Sequence, residues 1–489
     1  MSTPATAPIG TLFEALAPSL ADTFTDTLAG PFMHAARQAA ASGAPVLASV
    51  SFPLKPLDLP ALIGRWDDGV TPWAFHETVT PSFALFGWDC ALELSGHGDA
   101  RFAQIDACWR ELVRTGIVCG DQPPRLIGGF RFDPEGTRQA HWQAFADASM
   151  MLPRLSIVRE RGDHWLVCQH VAAPDDDGAA VARRYEAWIH RLDHAMPASA
   201  PACGHGMSGA LDTITLDADV WKHKVRDAID AIRRGAFSKV VLARDVLRRY
   251  PAPVAIAPLL ARLRRRDANA QLFAVRRGDG CFVGATPERL VRVHERVVHT
   301  QALAGTTRRD ADPERDRALG AELMADRKER LEHAIVVEAI VAALEPHTHD
   351  LQLPDQPVLQ VLPRLQHLST PIRATLDAGT TPLALVAALH PTPAVAGHPR
   401  AAALACLRVD EGFDRGWYAS PFGWIDAHGN GDFCVALRCA LIVANTCRLF
   451  AGCGIVAESD PEREYQETAL KLSGMQAAIE SPEDSPSSG

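Results

Sequence analysis

Three kinds of segment are missing from this sequence of 489 residues. No run reaches the roughly 18 apolar residues that a membrane span needs. The first ten residues (MSTPATAPIG) contain no charged segment followed by an apolar one, so no secretory signal peptide is expected. No basic run is present, and the net charge of -10 disfavours binding to nucleic acid. We therefore expect a cytoplasmic protein that has neither a membrane nor a nucleic-acid partner.

Cysteine pairs of the CxxC type are also missing. The 11 cysteines are scattered along the chain, and their number is odd. This pattern disfavours a disulfide framework and a zinc site. The cysteines are expected to be buried thiols in a reducing compartment.

Lysine is scarce, because only six of the 49 basic residues are lysines and the others are arginines. Arginine is thus the ordinary cation of this chain. A lysine can lose its proton when it is buried, whereas an arginine effectively cannot. A lysine within an apolar strand therefore needs a chemical explanation.

The rest of the composition is that of a globular protein, with 47% hydrophobic and 22% charged residues. The length suits two to three domains or one large one. Apolar strand segments occur without regular alternation with helices, which predicts an α+β fold with large, mainly antiparallel sheets. Residues 432–442 are expected to form one strand. Residues 313–344 are expected to form a helix with a break.

The small, Pro/Gly-rich segment 196–210 is the best candidate for a linker. Residues 1–200 show no catalytic arrangement on spacing alone and are interpreted as a scaffold. Residues 201–480 carry the candidate chemistry. The polar, Ser/Pro-rich end, 481–489, is expected to be disordered.

The stretch 450–475 (FAGCGIVAESDPEREYQETALKLSGM) combines a glycine-rich segment with a helix. Asp460 suits the N-cap and Pro461 the first helical position. On this helix Glu464, Glu467 and Lys471 recur at three and four residues and so share one face. A loop at 452–454 (Gly452, Cys453 and Gly454) is expected to hold an anion, and the carboxylates to hold a hard cation such as Mg2+. The alternative is a solvated helix face beside an ordinary turn.

Lys239 lies in an apolar strand (FSKVVLAR, 237–244), and Glu288 follows a strand that ends in a Pro turn. Lys239 is either an edge residue whose amine reaches water or a general base with a pKa lowered by desolvation. Glu288 is either a turn carboxylate or an acid.

Glu332 opens an apolar stripe at helical spacing and is therefore placed on the buried side of its helix. It is expected either to pair with Lys328 or to act as a ligand. With Glu464 and Glu467 it would complete an all-oxygen site of the kind that Mg2+ prefers.

Other polar residues have small or apolar neighbours in the sequence. A turn with exposed amides is expected at 302–307, including Gly305 and Thr306. A rigid loop presents His390 and Thr392, and Arg438 is a charge inside an apolar strand, which implies an anionic partner. His367 and Tyr418 are further candidates, although hydrogen bonding in the core explains either as well. Together these residues describe a pocket suited to a small dicarboxylate.

The motifs resemble those of the chorismate-utilising enzymes, and specifically of the isochorismate synthases. The similar segments are FSKVVLARD (237–245), GATPERLVRV (284–293), ALAGTTRRD (302–310), KERLEH (328–333), LHPTPAVAGHPRAAAL (389–404), RGWYASPFGW (415–424), GNGDFCVALRCA (429–440), LFAGCGIV (449–456) and EYQETALKLSGM (464–475). N-terminal segments such as GGFRFDP are similar to those of synthases that supply salicylate for siderophores. The resemblance implies one large α+β unit of the anthranilate synthase component I type.

The resemblance also implies roles for individual residues. Lys239 would be the base that activates water, and Glu288 the acid that protonates the departing hydroxyl. Glu332 and Glu467 would bind Mg2+, with Glu464 reaching it directly or through water. The substrate carboxylates would be held by Thr392, Tyr418, Arg438, Lys471 and the amides of 452–454.

Two residues distinguish the chain from other branches of the family. Lys239 stands where anthranilate synthases have glutamine, and Ala304 where aminodeoxychorismate synthases have a nucleophilic lysine. Leu331 replaces a histidine that is common next to the proposed ligand. The remaining alternatives are a bifunctional salicylate synthase and a chorismate-binding protein without catalysis. A synthase would leave pyruvate elimination to a separate isochorismate pyruvate-lyase.

Overall fold

The computed structural model describes residues 12–16, 22–194, 209–361 and 365–481. The predicted linker lies outside these residues apart from Gly209 and Ala210, and the predicted tail apart from Ser481. No helix in the described ranges is both long and apolar enough to cross a membrane. Of the ten described cysteines, all free, six are buried as expected, but Cys108 is exposed.

The strands of the described residues form one hydrogen-bonded network, which is antiparallel except for the pair β1–β4. The expectation of an α+β fold with large, mainly antiparallel sheets is confirmed. The strands are β1 (Val46–Leu54), β2 (Trp73–Thr78), β3 (Phe83–Gly96), β4 (Ile117–Cys119), β5 (Arg125–Phe130), β6 (Ala148–Glu160), β7 (Asp163–Ala172), β8 (Asp212–Thr215), β9 (Lys239–Arg249), β10 (Gln271–Arg277), β11 (Gly280–Thr286), β12 (Arg289–His294), β13 (Val297–Arg308), β14 (Thr348–Gln352), β15 (Val358–Val361), β16 (Leu365–Leu376), β17 (Gly397–His398), β18 (Pro421–Asp426), β19 (Gly431–Val435), β20 (Cys439–Val443) and β21 (Thr446–Ile455).

The network divides at strand β6. Its first residues pair with β5, and its last residues pair with β7. One path of neighbours then runs β5–β18–β19–β12–β13–β16, and another runs β3–β2–β10–β11–β20–β21–β9. Strands from before and after residue 200 are neighbours in both paths. The division of the chain near residue 200 stays a prediction.

Helices pack against the strands of this network. Residues buried on the helix that begins at Phe24 include Leu28, Phe32, Ala35 and Ala39, at the spacing of an amphipathic helix. The helices are α1 (Leu12–Ala15), α2 (Phe24–Ser42), α3 (Leu59–Trp66), α4 (Arg101–Arg114), α5 (Gly178–Asp193), α6 (Ala218–Arg233), α7 (Ile256–Arg266), α8 (Pro313–Ala325), α9 (Arg327–Leu344), α10 (Pro382–Leu389), α11 (Arg400–Asp410) and α12 (Pro461–Glu480), with short 3-10 turns at Ala140–Trp142 and Glu345–His347.

The break predicted within 313–344 lies at Asp326, which ends α8 and caps α9 by accepting a hydrogen bond from the Glu329 amide. The single strand predicted over 432–442 is wrong. The chain leaves β19 at Val435 and enters β20 at Cys439, and Arg438 between them has φ of 49°. The interruption has a structural cause, because β19 belongs to one path of the network and β20 to the other, so the chain must turn to change paths.

Candidate active site

One cavity gathers most of the predicted site residues. It lies where strands from both paths end beside helices α9 and α12. The predicted residues that line it are Lys239, Glu288, Gly305, Thr306, Glu332, His367, Tyr418, Arg438, Gly452, Cys453, Gly454, Glu467 and Lys471.

Lys239 is the first residue of β9, and its side chain is only 1% exposed. Its Nζ lies 2.7 Å from Oε1 of Glu332 on α9. The amine therefore does not reach water along the strand edge, which removes the first of its two interpretations. The predicted pair of Glu332 with Lys328 is not formed either, because Lys328 contacts Glu329 at 3.4 Å and Glu464 at 3.9 Å.

Glu288 follows β11 and is buried. Burial raises the pKa of its carboxyl to about 7, although the positive charges of Lys239, Lys471 and Arg438 act in the opposite direction. A carboxyl with a pKa near 7 is protonated in a large fraction of the molecules at physiological pH and can act as an acid. The structure thus places a potential acid and the amine of Lys239 in one cavity.

Further carboxylates lie near Glu332 and Glu467. Glu467 on α12 accepts from Lys471 at 2.6 Å. Burial, and next the charge of Glu467, raise the pKa of Glu464 to about 7. Burial and the charge of Glu332 likewise raise the pKa of Glu329. Burial is the larger cause of both shifts, and the charge of a neighbouring carboxylate adds to each.

Glu329 was missed in the sequence, although a signal was present. It stands three residues before Glu332 in KERLEH, so one helical turn brings both side chains to the same face of α9. Its Oε2 accepts a hydrogen bond from the amide of Thr306 at 3.2 Å. Leu331, between the two glutamates, is 62% exposed and lies away from the cavity lining.

The predicted Mg2+ ligands do not form a preassembled metal site. In the described part of the chain, no three His, Cys, Asp or Glu side chains come close enough together to hold a metal ion as they stand. Two of the predicted ligands, Glu332 and Glu467, are held by lysines. The donor set still fits Mg2+, because its oxygens are all carboxylates and a hard cation would favour the ionised form of Glu464.

The glycines expected in a loop at 452–454 lie within strand β21, and this prediction is wrong. Residues Gly452 and Gly454 pair there with Ala243 and Val241 of β9. Their lack of a side chain serves close approach instead of a turn. A Cβ on Gly454 would lie 2.6 Å from Oε1 of Glu332, and one on Gly452 would lie 3.2 Å from the Tyr418 hydroxyl.

This close approach yields a prediction. Gly454→Ala should lower kcat/KM by at least roughly tenfold, because the added methyl group displaces Glu332 from Lys239, and a misplaced catalytic group is costly. Steady-state kinetics would measure the effect, and a melting curve would show whether the fold is retained. Gly474→Ala on α12 is the control, since no atom lies within 4 Å of the Cβ added there. Equal rates for Gly454→Ala and the wild type would contradict the expected displacement.

The turn expected at 302–307 is a bulge in strand β13, so that prediction is also wrong. The register against β16 shifts between Ala304 and Thr306, and Gly305 supplies the φ of 82° that the bulge requires. The bulge brings the Thr306 hydroxyl within 3.0 Å of Nδ1 of His367. Burial lowers the pKa of His367 to about 3, so its ring is neutral. The Nε2 atom has no hydrogen-bond partner among the described residues and is free to meet a ligand.

Cationic groups stand at another part of the lining. Lys471 donates to the carbonyl oxygen of Gly452 at 2.8 Å and pairs with Glu467. Arg438 reaches the lining from the turn between β19 and β20, and burial lowers the pKa of its guanidinium. Tyr418 stacks on Phe450 with ring centres 5.2 Å apart. These groups are suited to bind a carboxylate with an apolar ring beside it.

Three predicted residues do not line the cavity. His390 is buried against Phe132, and its Nε2 donates to the carbonyl oxygen of that residue at 3.0 Å. Thr392 is buried, and its hydroxyl has no partner among the described residues. Glu464 is buried, and its Oε1 lies 3.9 Å from Nζ of Lys328. Their roles in binding stay predictions. Arg415, which lines the cavity, was not predicted from the sequence.

Comparison with known proteins agrees with this fold and this site. The family model described as "Chorismate binding enzyme" matches residues 34–480. The salicylate biosynthesis isochorismate synthase of Pseudomonas aeruginosa is 49% identical over 453 residues, which cover 92% of this chain and 94% of that protein. The isochorismate synthase MenF of Bacillus subtilis is 33% identical over 423 residues, which cover 83% of this chain and 87% of that protein.

Solved structures are similar as well. The menaquinone-specific isochorismate synthase MenF of Escherichia coli superposes with a TM-score of 0.75 at 26% identity, over 93% of this chain and 100% of that chain. Anthranilate synthase component I of Streptococcus pneumoniae superposes with a TM-score of 0.64 over 81% of this chain and 92% of that chain, and at 21% identity it shows the fold alone. The fold and the site define an enzyme that acts on a small carboxylate. The chain belongs to the chorismate-binding enzyme family.

Proposed function

We propose that the pocket is the active site of an isochorismate synthase, which converts chorismate to isochorismate. Water adds at C2 of the ring and the hydroxyl at C4 departs as water, so the substrate and the product are isomers. The observation that carries the proposal is that the buried amine of Lys239 and the buried carboxyl of Glu288, whose pKa is raised by burial to about 7, line one cavity. The 49% identity to a salicylate biosynthesis isochorismate synthase supports it.

In this mechanism Lys239 accepts a proton from the attacking water. The amine must be neutral to do so, and in the structure it is paired with Glu332. Engagement of Glu332 by another partner would favour the neutral amine. Glu288 donates its proton to the departing hydroxyl, and its pKa of about 7 leaves about half of the molecules protonated there at neutral pH. One proton is therefore taken and one is given.

The cationic and polar residues that line the cavity would bind the substrate. Arg438 and Lys471 would hold a carboxylate, and Tyr418 and the neutral His367 would contact the ring. Glu332 and Glu467, together with Glu464, would hold Mg2+. When bound, Mg2+ would neutralise these carboxylates and anchor a substrate carboxylate.

The proposal places the protein in the cytoplasm, in a salicylate or siderophore pathway. Isochorismate would then pass to a separate isochorismate pyruvate-lyase.

Product analysis tests the activity. Chorismate is incubated with the purified protein, with and without Mg2+, and the mixture is separated by chromatography. Isochorismate that forms only with Mg2+, without stoichiometric pyruvate, is the expected result. Salicylate plus pyruvate from this chain alone would identify a bifunctional salicylate synthase. Unchanged chorismate would contradict catalysis and leave a binding protein.

The metal ligands make a separate prediction. Glu332→Ala should raise the Mg2+ concentration for half-maximal activity by at least roughly tenfold, because a carboxylate ligand is removed. Titration calorimetry with MgCl2 alone should show the same weakening in the absence of turnover. Glu338→Ala, an exposed position on the same helix α9, is the control. If Mg2+ affinity is unchanged in Glu332→Ala, the ligand assignment is wrong.

A further inference from the structure

Strand β9, which begins with Lys239, has a gap along one of its edges. Strand β21 pairs with one edge from Val240 to Arg249. The other edge is covered by β17 at Lys239 and Val240, and by β8 from Val246 onward. On that side the Val241 amide still donates to the carbonyl oxygen of Ala396 at 2.9 Å, next to β17. From the Val241 carbonyl to residue 245, the described residues supply no neighbouring strand.

Side chains occupy this gap in place of a strand. Nη2 of Arg415 donates to the carbonyl oxygen of Val241 at 2.7 Å, and Oε1 of Glu411 accepts from the amide of Ala243 at 2.8 Å. Residues two apart on a strand present their backbone groups to the same edge. Arg415 and Glu411 thus continue the ladder that β17 begins.

The two side chains form one rigid unit. Nη2 and Nε of Arg415 lie 2.5 Å and 2.6 Å from the two carboxylate oxygens of Glu411, and both side chains are about 5% exposed or less. Nη1 donates to the carbonyl oxygen of Val395 at 2.8 Å. The guanidinium also stacks on Phe132, 4.2 Å from the ring centre. Arginine suits this position because its planar fork can serve several acceptors at once.

The unit holds two parts of the cavity wall. Val241 and Val395 both line the cavity, and Lys239 precedes Val241 by two residues. Four N–H···O bonds already engage the guanidinium, so its role differs from that of Arg438, whose charge faces the cavity. We propose that the Glu411–Arg415 pair is a positioning device, which replaces a missing stretch of strand and sets the backbone that carries Lys239. This role in catalysis rests on the proposed function.

The test compares Arg415→Lys with a matched control, Arg131→Lys. Arg131 pairs with Asp414 at 2.5 Å and is equally buried, but it bonds Thr137 and not β9. Lysine keeps the charge of Arg415 but cannot reach three partners in a fork. Arg415→Lys should lower kcat at least tenfold with KM changed less than threefold, while Arg131→Lys should change kcat less than twofold. Melting temperatures should fall in both.

A second measurement does not depend on turnover. Amide hydrogen exchange should quicken at Ala243 in Arg415→Lys and in Glu411→Gln, and not in Arg131→Lys. A wild-type kcat in Arg415→Lys, equal losses of kcat in both lysine variants, or unchanged exchange at Ala243 would overturn the proposal. If the wild type makes no isochorismate, the proposed function fails, and exchange at Ala243 still decides whether the pair holds β9. Should Arg415→Lys not fold, the milder Glu411→Gln carries both measurements.

Discussion

Replacement of Lys239 by arginine should lower kcat by roughly two to four orders of magnitude, the range that general base catalysis supplies. Arginine keeps a positive charge within reach of Glu332, so the ion pair at 2.7 Å can be replaced. It cannot lose its proton at accessible pH and therefore cannot accept one from water. The variant thus separates proton transfer from charge pairing. Single-turnover assays with chorismate would measure the loss.

Lys239→Ala should be as inactive as Lys239→Arg but less stable, because it leaves Glu332 without its partner in a largely buried place. Lys55→Ala is the control for the substitution of a lysine, since Lys55 is exposed and its amine donates to the carbonyl oxygen of Glu14, away from the cavity lining. It should keep the wild-type rate. Near-normal turnover by Lys239→Arg would remove the base assignment.

Glu288→Gln should also lose roughly two to four orders of magnitude in kcat, because an amide cannot give up a proton to the departing hydroxyl. In the wild type, the pKa of about 7 also predicts how the rate depends on pH. The acid must be protonated, so kcat/KM should fall as the pH rises above about 7. A rate that stays level from pH 6 to pH 9 would contradict the role of Glu288 as the acid.

The same substitution should change stability in a direction set by the pKa. Below the ordinary value of 4.5 the carboxyl is protonated in both the folded and the unfolded chain. Between 4.5 and about 7 only the unfolded chain ionises, so the wild type loses stability as the pH rises. Relative to the wild type, Glu288→Gln should therefore gain about 3 kcal/mol across this window and no more above it. Denaturant unfolding at several pH values measures the difference.

Glu77→Gln provides the matched control for a buried glutamate. Glu77 is buried and bonds Arg159 and Arg264, away from the cavity lining. Loss of the Glu77 charge should lower the free energy of unfolding, while kcat should remain that of the wild type. Glu288→Gln should show the reverse, a lost rate with a fold that is more stable at pH 8.

Local features of the site could be read from the sequence because they depend on near neighbours. Asp460 caps α12 by accepting from the amide of Arg463, and Pro461 is its first residue, as predicted. Helical spacing placed Glu467 and Lys471 on one face, where they form an ion pair.

Features that depend on strand register could not be read in the same way. A glycine-rich segment is compatible with a loop and with a strand, and only the pairing of 452–454 with β9 decides between them. Arg438 was placed within a strand because its neighbours are apolar. Nothing local records that the chain changes from one path of the sheet network to the other there.

The partners of the buried charges were likewise decided by the tertiary structure. Lys239 and Glu332 are 93 residues apart in the sequence, and they meet because β9 and α9 border one cavity. Their proximity makes the ion pair, and the burial of Glu288 beside them raises its pKa. Desolvation depends on everything packed around a group, which no short motif contains.

By itself, the sequence determined which chemical groups this protein has, which of them share a helix face and, through its motifs, the family to which it belongs. Those properties follow from residue type and from spacing along the chain. The tertiary structure alone decided which carboxylates face one another, which lysine each of them meets, and how Arg415 and Glu411 complete the edge of β9. The reason is that hydrogen bonds and Coulomb interactions depend on distances in space, and these are set by the register and packing of strands far apart in the chain.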